Sequence, residues 1–204
     1  MVTVHPSQSL RASWISSNNT PFRPYSLLIS LTIQCNTIQQ ELQGTGSSTK
    51  TGRTNFRVHV VHASSAETVD LVGRHRDLPI SIETCPHYLL FAAEDIPDGA
   101  TEYKCAPAIR DRRNNDALVA AVRDGRVDGV ASDHSPSPAS LKTGDFMASW
   151  GGISGVQYTL PAVWESLRRG GEGDPEDLVA VHRVLSGFPA RMLGMHHLKG
   201  RYVA

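Results

Sequence analysis

A short apolar run near the middle of the chain ends abruptly at a proline and a histidine. Residues 78–84 have the length and β-branched content of a buried strand, and Pro86 cannot donate to a sheet ladder, so the strand stops before it. His87 therefore follows the carboxyl end of a strand, where parallel α/β folds collect ligands and catalytic groups. A capped or buried structural histidine is the alternative interpretation of His87 by itself.

Strand and helix patterns alternate from residue 56 onward. Further strands are predicted at residues 56–62, 104–110 and 127–132. Helices are predicted over residues 64–72, 117–125, 156–167 and 174–185. Ser64 and Glu67 have capping-box spacing at the first helix, while Gly125 is expected to end the second and Asp174 to begin the last. This order predicts an α/β fold in which helices cover parallel strands.

Residues 1–52 differ in composition from the rest of the chain. They are rich in Ser, Thr, Asn and Gln, they contain no acidic residue before Glu41, and they sustain no helical or strand period. A transit peptide is the alternative, but the first forty residues contain only two arginines and no Arg-rich amphipathic helix. We interpret residues 1–52 as a poorly ordered or unrelated extension and residues 53–204 as the folded part.

The charge balance and the cysteines limit the possible partners and compartments. Twenty basic and twenty acidic residues cancel, so no net field attracts nucleic acid or an anionic membrane, and neither is predicted as a partner. Three cysteines without CxxC spacing argue against a disulfide framework and against a cysteine-only zinc site. A reducing compartment, the cytoplasm, is therefore predicted.

Three side chains at predicted strand ends could bind a metal together. His62 ends the strand before the central one, and Asp133 ends the strand after it, where it is a stronger candidate than His134. His59 lies three residues before His62, so the two side chains of a regular strand face opposite sides, and His59 is expected to pack or hydrogen-bond instead. His62, His87 and Asp133 form a set that suits zinc, or manganese and iron if more oxygen ligands join.

Four segments of the sequence resemble allantoinases, a family of cyclic amidohydrolases related to the dihydroorotases and hydantoinases. The segments are residues 83–89, 104–110, 132–136 and 146–155. The first is similar across the cyclic amidohydrolases, and the other three resemble allantoinases specifically. The resemblance extends from about Arg57 to the end of the chain.

The resemblance implies a fold, a reaction and a set of site residues. The fold implied is a partial (β/α)8 TIM-type barrel, its C-terminal half, and the reaction is the metal-dependent opening of the hydantoin ring of allantoin to allantoate. The complete family site holds two divalent ions, taken to be zinc, bridged by a carboxylated lysine and a hydroxide. By motif, His62, His87 and Asp133 are metal ligands, Asp133 also accepts the proton of the attacking water, and Cys105 and Ala106 line the substrate pocket. A homo-oligomer is compatible with this resemblance.

Two family motifs have no counterpart in this sequence. Residues 1–57 supply neither the His-x-His pair nor the bridging lysine, so at most one metal ion is expected here, and the chain is expected to be a C-terminal portion of an allantoinase joined to unrelated residues. The first strand should then have an open edge. Two alternatives stay open: another cyclic amidohydrolase, such as a dihydroorotase or a hydantoinase, and a catalytically inactive barrel fragment.

Overall fold

The computed structural model describes residues 57–169 and 171–201, so the predicted extension at residues 1–52 lies outside the described residues. Three strands form one parallel sheet in the order β1-β2-β3: β1 is Val58–Val60, β2 is Ile80–Thr84 and β3 is Gly129–Val130. β1 pairs with the first part of β2, and β3 pairs with the carboxyl end of β2. The predicted α/β fold with parallel strands is confirmed.

The predicted helices are present, together with two short ones, at Pro86–Leu90 and Phe188–Met192, that the sequence did not predict. They are α1 (Ala66–Gly73), α2 (Pro86–Leu90), α3 (Arg112–Arg123), α4 (Thr159–Leu167), α5 (Pro175–His182) and α6 (Phe188–Met192), with a π-helical turn at Arg183–Gly187 between the last two. None of the helices in these described ranges is both long and apolar enough to cross a membrane.

The strand predictions were too long, and one was wrong. β1 and β3 are shorter than the predicted segments, and residues 104–110 form an unpaired loop. β1 and β3 end before His62 and Asp133, whose positive φ values of 42° and 46° a strand does not accommodate.

The capping prediction for the first helix was also wrong. α1 begins at Ala66, and its N-cap Ser65 makes no side-chain cap hydrogen bond. Asn114 of α3 takes that role, because its Oδ1 accepts from Ala66 N at 2.9 Å and its Nδ2 donates to Ser64 O at 2.9 Å. The other two end signals are confirmed: Asp174 caps α5, and Gly125 follows α3 with a φ of 75°.

The apolar core lies between the sheet and the helices. α1 packs against α3 and β2, and α2 packs against α3 and α4. Fully buried apolar side chains from these elements fill the space: Val69, Ile82, Leu89, Leu118, Val122, Val163 and Leu167. Within the described ranges β1 pairs only with β2, and the open edge expected from the sequence stays a prediction.

Gly129 shows how closely α6 packs on β3. A Cβ at this position would lie 2.6 Å from Cδ1 of Phe188, whereas a Cβ at Gly73 would meet nothing within 4 Å. Gly129→Ala is therefore expected to lower the free energy of unfolding by about 1–3 kcal/mol through overpacking. Gly73→Ala, the matched control on α1, is expected to raise it by about 0.4–1 kcal/mol. Urea unfolding of both variants tests this, and equal effects of the two would contradict the described packing.

Candidate metal centre

The three predicted ligands lie at neighbouring strand ends. His62 follows β1 by two residues, His87 lies in the first turn of α2 directly after β2, and Asp133 follows β3 by three residues. His62 and Asp133 both have left-handed backbone conformations. Non-glycine residues in this conformation are strained and cluster at functional sites, because the surrounding structure must hold them there.

Thr84 connects these strand ends to one another. It is fully buried, its Oγ1 donates to Ala63 O at 2.7 Å, and its own carbonyl accepts from Ala131 N at 3.0 Å. Ala63 N also donates to Glu83 O at 2.9 Å. The loop that carries His62 and the segment that leads to Asp133 are therefore both tied to the end of β2.

His87 is buried and held on a short helix. Its side chain is 5% exposed, and its Nε2 has no hydrogen-bond partner. Burial, and after it the nearby His62 imidazole, lowers the pKa of His87 to about 4, so the ring is neutral at neutral pH and has a free lone pair. Buried Asn115 fixes the end of this helix, because its Nδ2 donates to Tyr88 O at 2.7 Å and to Phe91 O at 3.0 Å.

Asp133 and Cys85 stand beside His87. A carboxylate oxygen of Asp133, Sγ of Cys85 and a ring nitrogen of His87 all lie within 4.8 Å of one another. Burial raises the pKa of Asp133, the nearby His62 opposes this rise, and Glu83 adds to it. Burial, and then Asp133 and Glu83, also raises the pKa of Cys85.

His59 has the structural role expected from the sequence. Its Nδ1 shares a 2.8 Å hydrogen bond with Ser81 Oγ, its ring stacks on Phe188, and its Nε2 lies 3.0 Å from Glu83 Oε2 without the geometry of a hydrogen bond. His134 is exposed, and its Nδ1 accepts from Val156 N at 3.3 Å. Neither histidine belongs to the cluster of Cys85, His87 and Asp133.

The two residues predicted to meet substrate differ in exposure. Cys105 is 2% exposed, and burial raises the pKa of its thiol to about 12, against the effect of its hydrogen bond with Tyr88. Ala106, the next residue, is exposed. Tyr88 fixes this loop, because its hydroxyl donates to Pro107 O at 2.6 Å. A substrate contact of Cys105 and Ala106 stays a prediction.

The residues present fit a divalent metal ion. His62 Nδ1 and His87 Nε2 are both buried without hydrogen-bond partners, which is costly unless something binds them. Together His87, Asp133 and Cys85 offer one nitrogen, one oxygen and one sulfur within 4.8 Å of one another, a donor set that suits zinc and similar borderline metals, and His62 lies outside this group of three. The sequence analysis missed Cys85 and Thr84. A signal for Cys85 was available in the sequence: alternation along the strand predicts that the side chains of Glu83 and Cys85 lie on the same face of β2.

Comparison with solved structures shows what kind of protein has this fold. The chain is similar to a D-hydantoinase (dihydropyrimidinase) from Thermus sp., with a TM-score of 0.60 and 28% identity over 72% of this chain and 33% of that one. It also shares the fold of an L-hydantoinase from Arthrobacter aurescens, with a TM-score of 0.67 and 23% identity over 82% of this chain and 35% of that one. The fold is therefore similar to that of the hydantoinases.

Within that class the chain is related to the allantoinases. It is 48% identical over 145 residues to the allantoinase of Streptomyces avermitilis, a match that covers 70% of this chain and 32% of that protein. It is 40% identical over 148 residues to the mitochondrial allantoinase of Aquarana catesbeiana, covering 70% and 30%. No family model matches the sequence. The chain thus spans about a third of the length of the curated relatives that it matches.

Proposed function

We propose that the chain takes part in the metal-dependent hydrolysis of a cyclic amide, the opening of the hydantoin ring of allantoin to allantoate. The observation that carries the proposal is the convergence of His62, His87 and Asp133 at the carboxyl ends of three neighbouring parallel strands, with two buried imidazole nitrogens unpartnered. The identity to allantoinases supports allantoin as the substrate.

The side chains of the site have distinct roles in this proposal. A divalent metal bound here supplies a more acidic water and polarises the ring carbonyl. His87 offers a neutral nitrogen because its pKa is lowered, and His62 offers a buried nitrogen without a hydrogen-bond partner. Asp133 holds the proton removed from water at its carboxylate oxygen, a role that its raised pKa favours because a more basic carboxylate accepts a proton more readily.

We propose that two hydrogen-bonded loops, residues 104–110 and 142–152, form a wall of the substrate pocket. Gly152 N donates to Lys104 O at 2.7 Å between the loops, and within the second loop Lys142 Nζ donates to Trp150 O and Gly152 O at 2.9 and 2.8 Å. Ala106 lies in the first of these loops, and we propose that Cys105 and Ala106 line the substrate side. A planar hydantoin ring would then lie between this wall and the cluster.

The finer assignments follow from the same proposal. We propose zinc as the metal, residues 53–204 as the C-terminal part of an amidohydrolase barrel, and residues 1–52 as an unrelated extension. The cytoplasm is the proposed location and a homo-oligomer the proposed state. The donor set supports zinc, and the likeness to hydantoinases supports the barrel.

Ring opening by the purified chain tests the proposed function. The chain is loaded with Zn²⁺, Co²⁺ or Mn²⁺ and supplied with allantoin, hydantoin or dihydroorotate. We expect allantoin to be opened fastest and a chelator to abolish turnover, because the water must be activated. Asp133→Asn is expected to lower the rate by about 10²–10⁴-fold through loss of the proton acceptor.

Asp98→Asn is the matched control, because it removes the same charge from an exposed position outside the cluster. It should keep the rate of the unchanged chain. Faster opening of hydantoin or dihydroorotate would favour the second candidate, a hydantoinase or dihydroorotase, which the structural neighbours support. No turnover of any of the three would contradict the proposal for this chain and favour an inactive fragment.

A further inference from the structure

Cys85 lies where the sequence analysis expected no ligand. Its Sγ, a ring nitrogen of His87 and a carboxylate oxygen of Asp133 lie within 4.8 Å of one another. We propose that Cys85 is a thiolate ligand in this site and that the chain binds zinc or cobalt through sulfur, nitrogen and oxygen together. The inference rests on the metal site of the proposed function and adds a sulfur ligand to it.

The position of the sulfur is set by the strand rather than by the helix. Cys85 has extended backbone angles, φ −123° and ψ 152°, so it continues the period of β2 for one more residue. Its side chain therefore lies on the same face of the strand as that of Glu83, opposite to that of Thr84. The sulfur is thus directed toward the cluster by backbone geometry.

His87 gives an independent reason to expect a ligand at this point. Its Nε2 is buried and has no hydrogen-bond partner, although the side chain is only 5% exposed. Leaving such an atom unpaired costs about 1–3 kcal/mol. Around tetrahedral zinc, sulfur and nitrogen ligands stand about 3.5 Å apart, so closing the observed cluster onto a metal requires side-chain shifts of about 1 Å.

The charges of this donor set suit a buried cation. A thiolate and a carboxylate together neutralise a divalent ion, so the complex carries no net charge into the interior. On binding, the S–H bond of Cys85 breaks, a sulfur–metal bond forms, and the proton leaves to solvent. No oxidant or reductant is needed. A coordinating thiol is deprotonated outright by the metal, so the raised pKa of the free thiol does not prevent the bond.

Titration of the full chain with Co²⁺ tests the inference without requiring turnover. A thiolate bound to Co²⁺ adds an intense sulfur-to-metal charge-transfer band in the near ultraviolet to the weaker visible bands of the metal. We expect this band in the unchanged chain and its loss in Cys85→Ser. The affinity for Co²⁺ is expected to fall at least about tenfold, since even the loss of an outer-shell partner typically costs 10–100-fold.

Cys105→Ser is the matched control, because Cys105 is an equally buried thiol outside the cluster of three. It should keep the band, and circular dichroism together with a Cys85→Ala variant separates ligand loss from misfolding. A band that persists in both Cys85 variants overturns the inference. Visible Co²⁺ absorption without the sulfur band overturns it too but leaves the proposed metal site intact. Absence of all Co²⁺ binding contradicts both the inference and the metal site.

Discussion

His87→Leu is expected to abolish the response of the chain to metal without destabilising the metal-free protein. The unchanged chain, at a metal concentration of about 100 times the dissociation constant, should gain about 2.7 kcal/mol of stability. The variant should gain nothing, because the buried imidazole is the donor that both the geometry and the sequence motif favour. Thermal or urea unfolding with and without Zn²⁺ measures the difference.

The stabilities of His87→Leu and the unchanged chain without metal show whether His87 acts as a ligand or as a structural residue. His87 Nε2 is buried and unpaired, so replacing the ring with an apolar side chain removes a group that costs about 1–3 kcal/mol. The free energy of unfolding without metal should therefore be unchanged or higher. Exposed His75, changed to alanine, serves as the control and should keep the full metal response. A large loss of metal-free stability in His87→Leu would argue that this histidine is structural.

Thr84→Val is expected to weaken metal binding although Thr84 is not a ligand. The substitution keeps the shape of the side chain but removes the hydroxyl that donates to Ala63 O at 2.7 Å. The buried carbonyl is left without that donor, which should lower the free energy of unfolding by about 1–3 kcal/mol. The loop that carries His62 loses a tie to β2, so metal affinity should fall by about 10–100-fold, the range found for positioning partners of ligands.

Thr84→Ser separates the two effects of this substitution. It keeps the hydroxyl and removes one methyl group, which costs about 0.5–1.5 kcal/mol in a core, so its stability loss resembles that of the valine variant. Its metal affinity, however, should stay close to that of the unchanged chain. Isothermal titration with Zn²⁺ compares the three proteins. Equal affinity in Thr84→Val and the unchanged chain would show that Asn114 and the backbone alone hold the loop.

Much of the fold could be predicted from local patterns. The β-branched run before Pro86, the glycine after α3 and the Asp174 cap of α5 were correctly interpreted, because each depends on residues next to one another in the chain. Parallel pairing followed from the alternation of strands and helices. The loop at residues 104–110 was mistaken for a strand because its apolar run resembles one, whereas its backbone is bonded to the hydroxyl of Tyr88 through Pro107 O and pairs with no strand of the described sheet.

Some residues of the site could likewise be predicted from the sequence, and others could not. His87 and Asp133 of the cluster, and His62 at the neighbouring strand end, were named from the sequence, because the carboxyl ends of neighbouring parallel strands must meet at one edge of the sheet. Cys85 was not, because its membership in the cluster depends on the distance to a carboxylate almost fifty residues later in the chain.

The left-handed turns at His62 and Asp133, and the hydroxyl of Thr84 that ties the strand ends together, were decided only by tertiary structure. Local propensity opposes a positive φ at a histidine or an aspartate, so the hydrogen bonds and packing of the surrounding strands must impose it. The sequence by itself thus determined which residues reach the edge of the sheet. Tertiary contacts determined how they are held there and which buried atoms were left without partners, since these depend on atoms from distant segments.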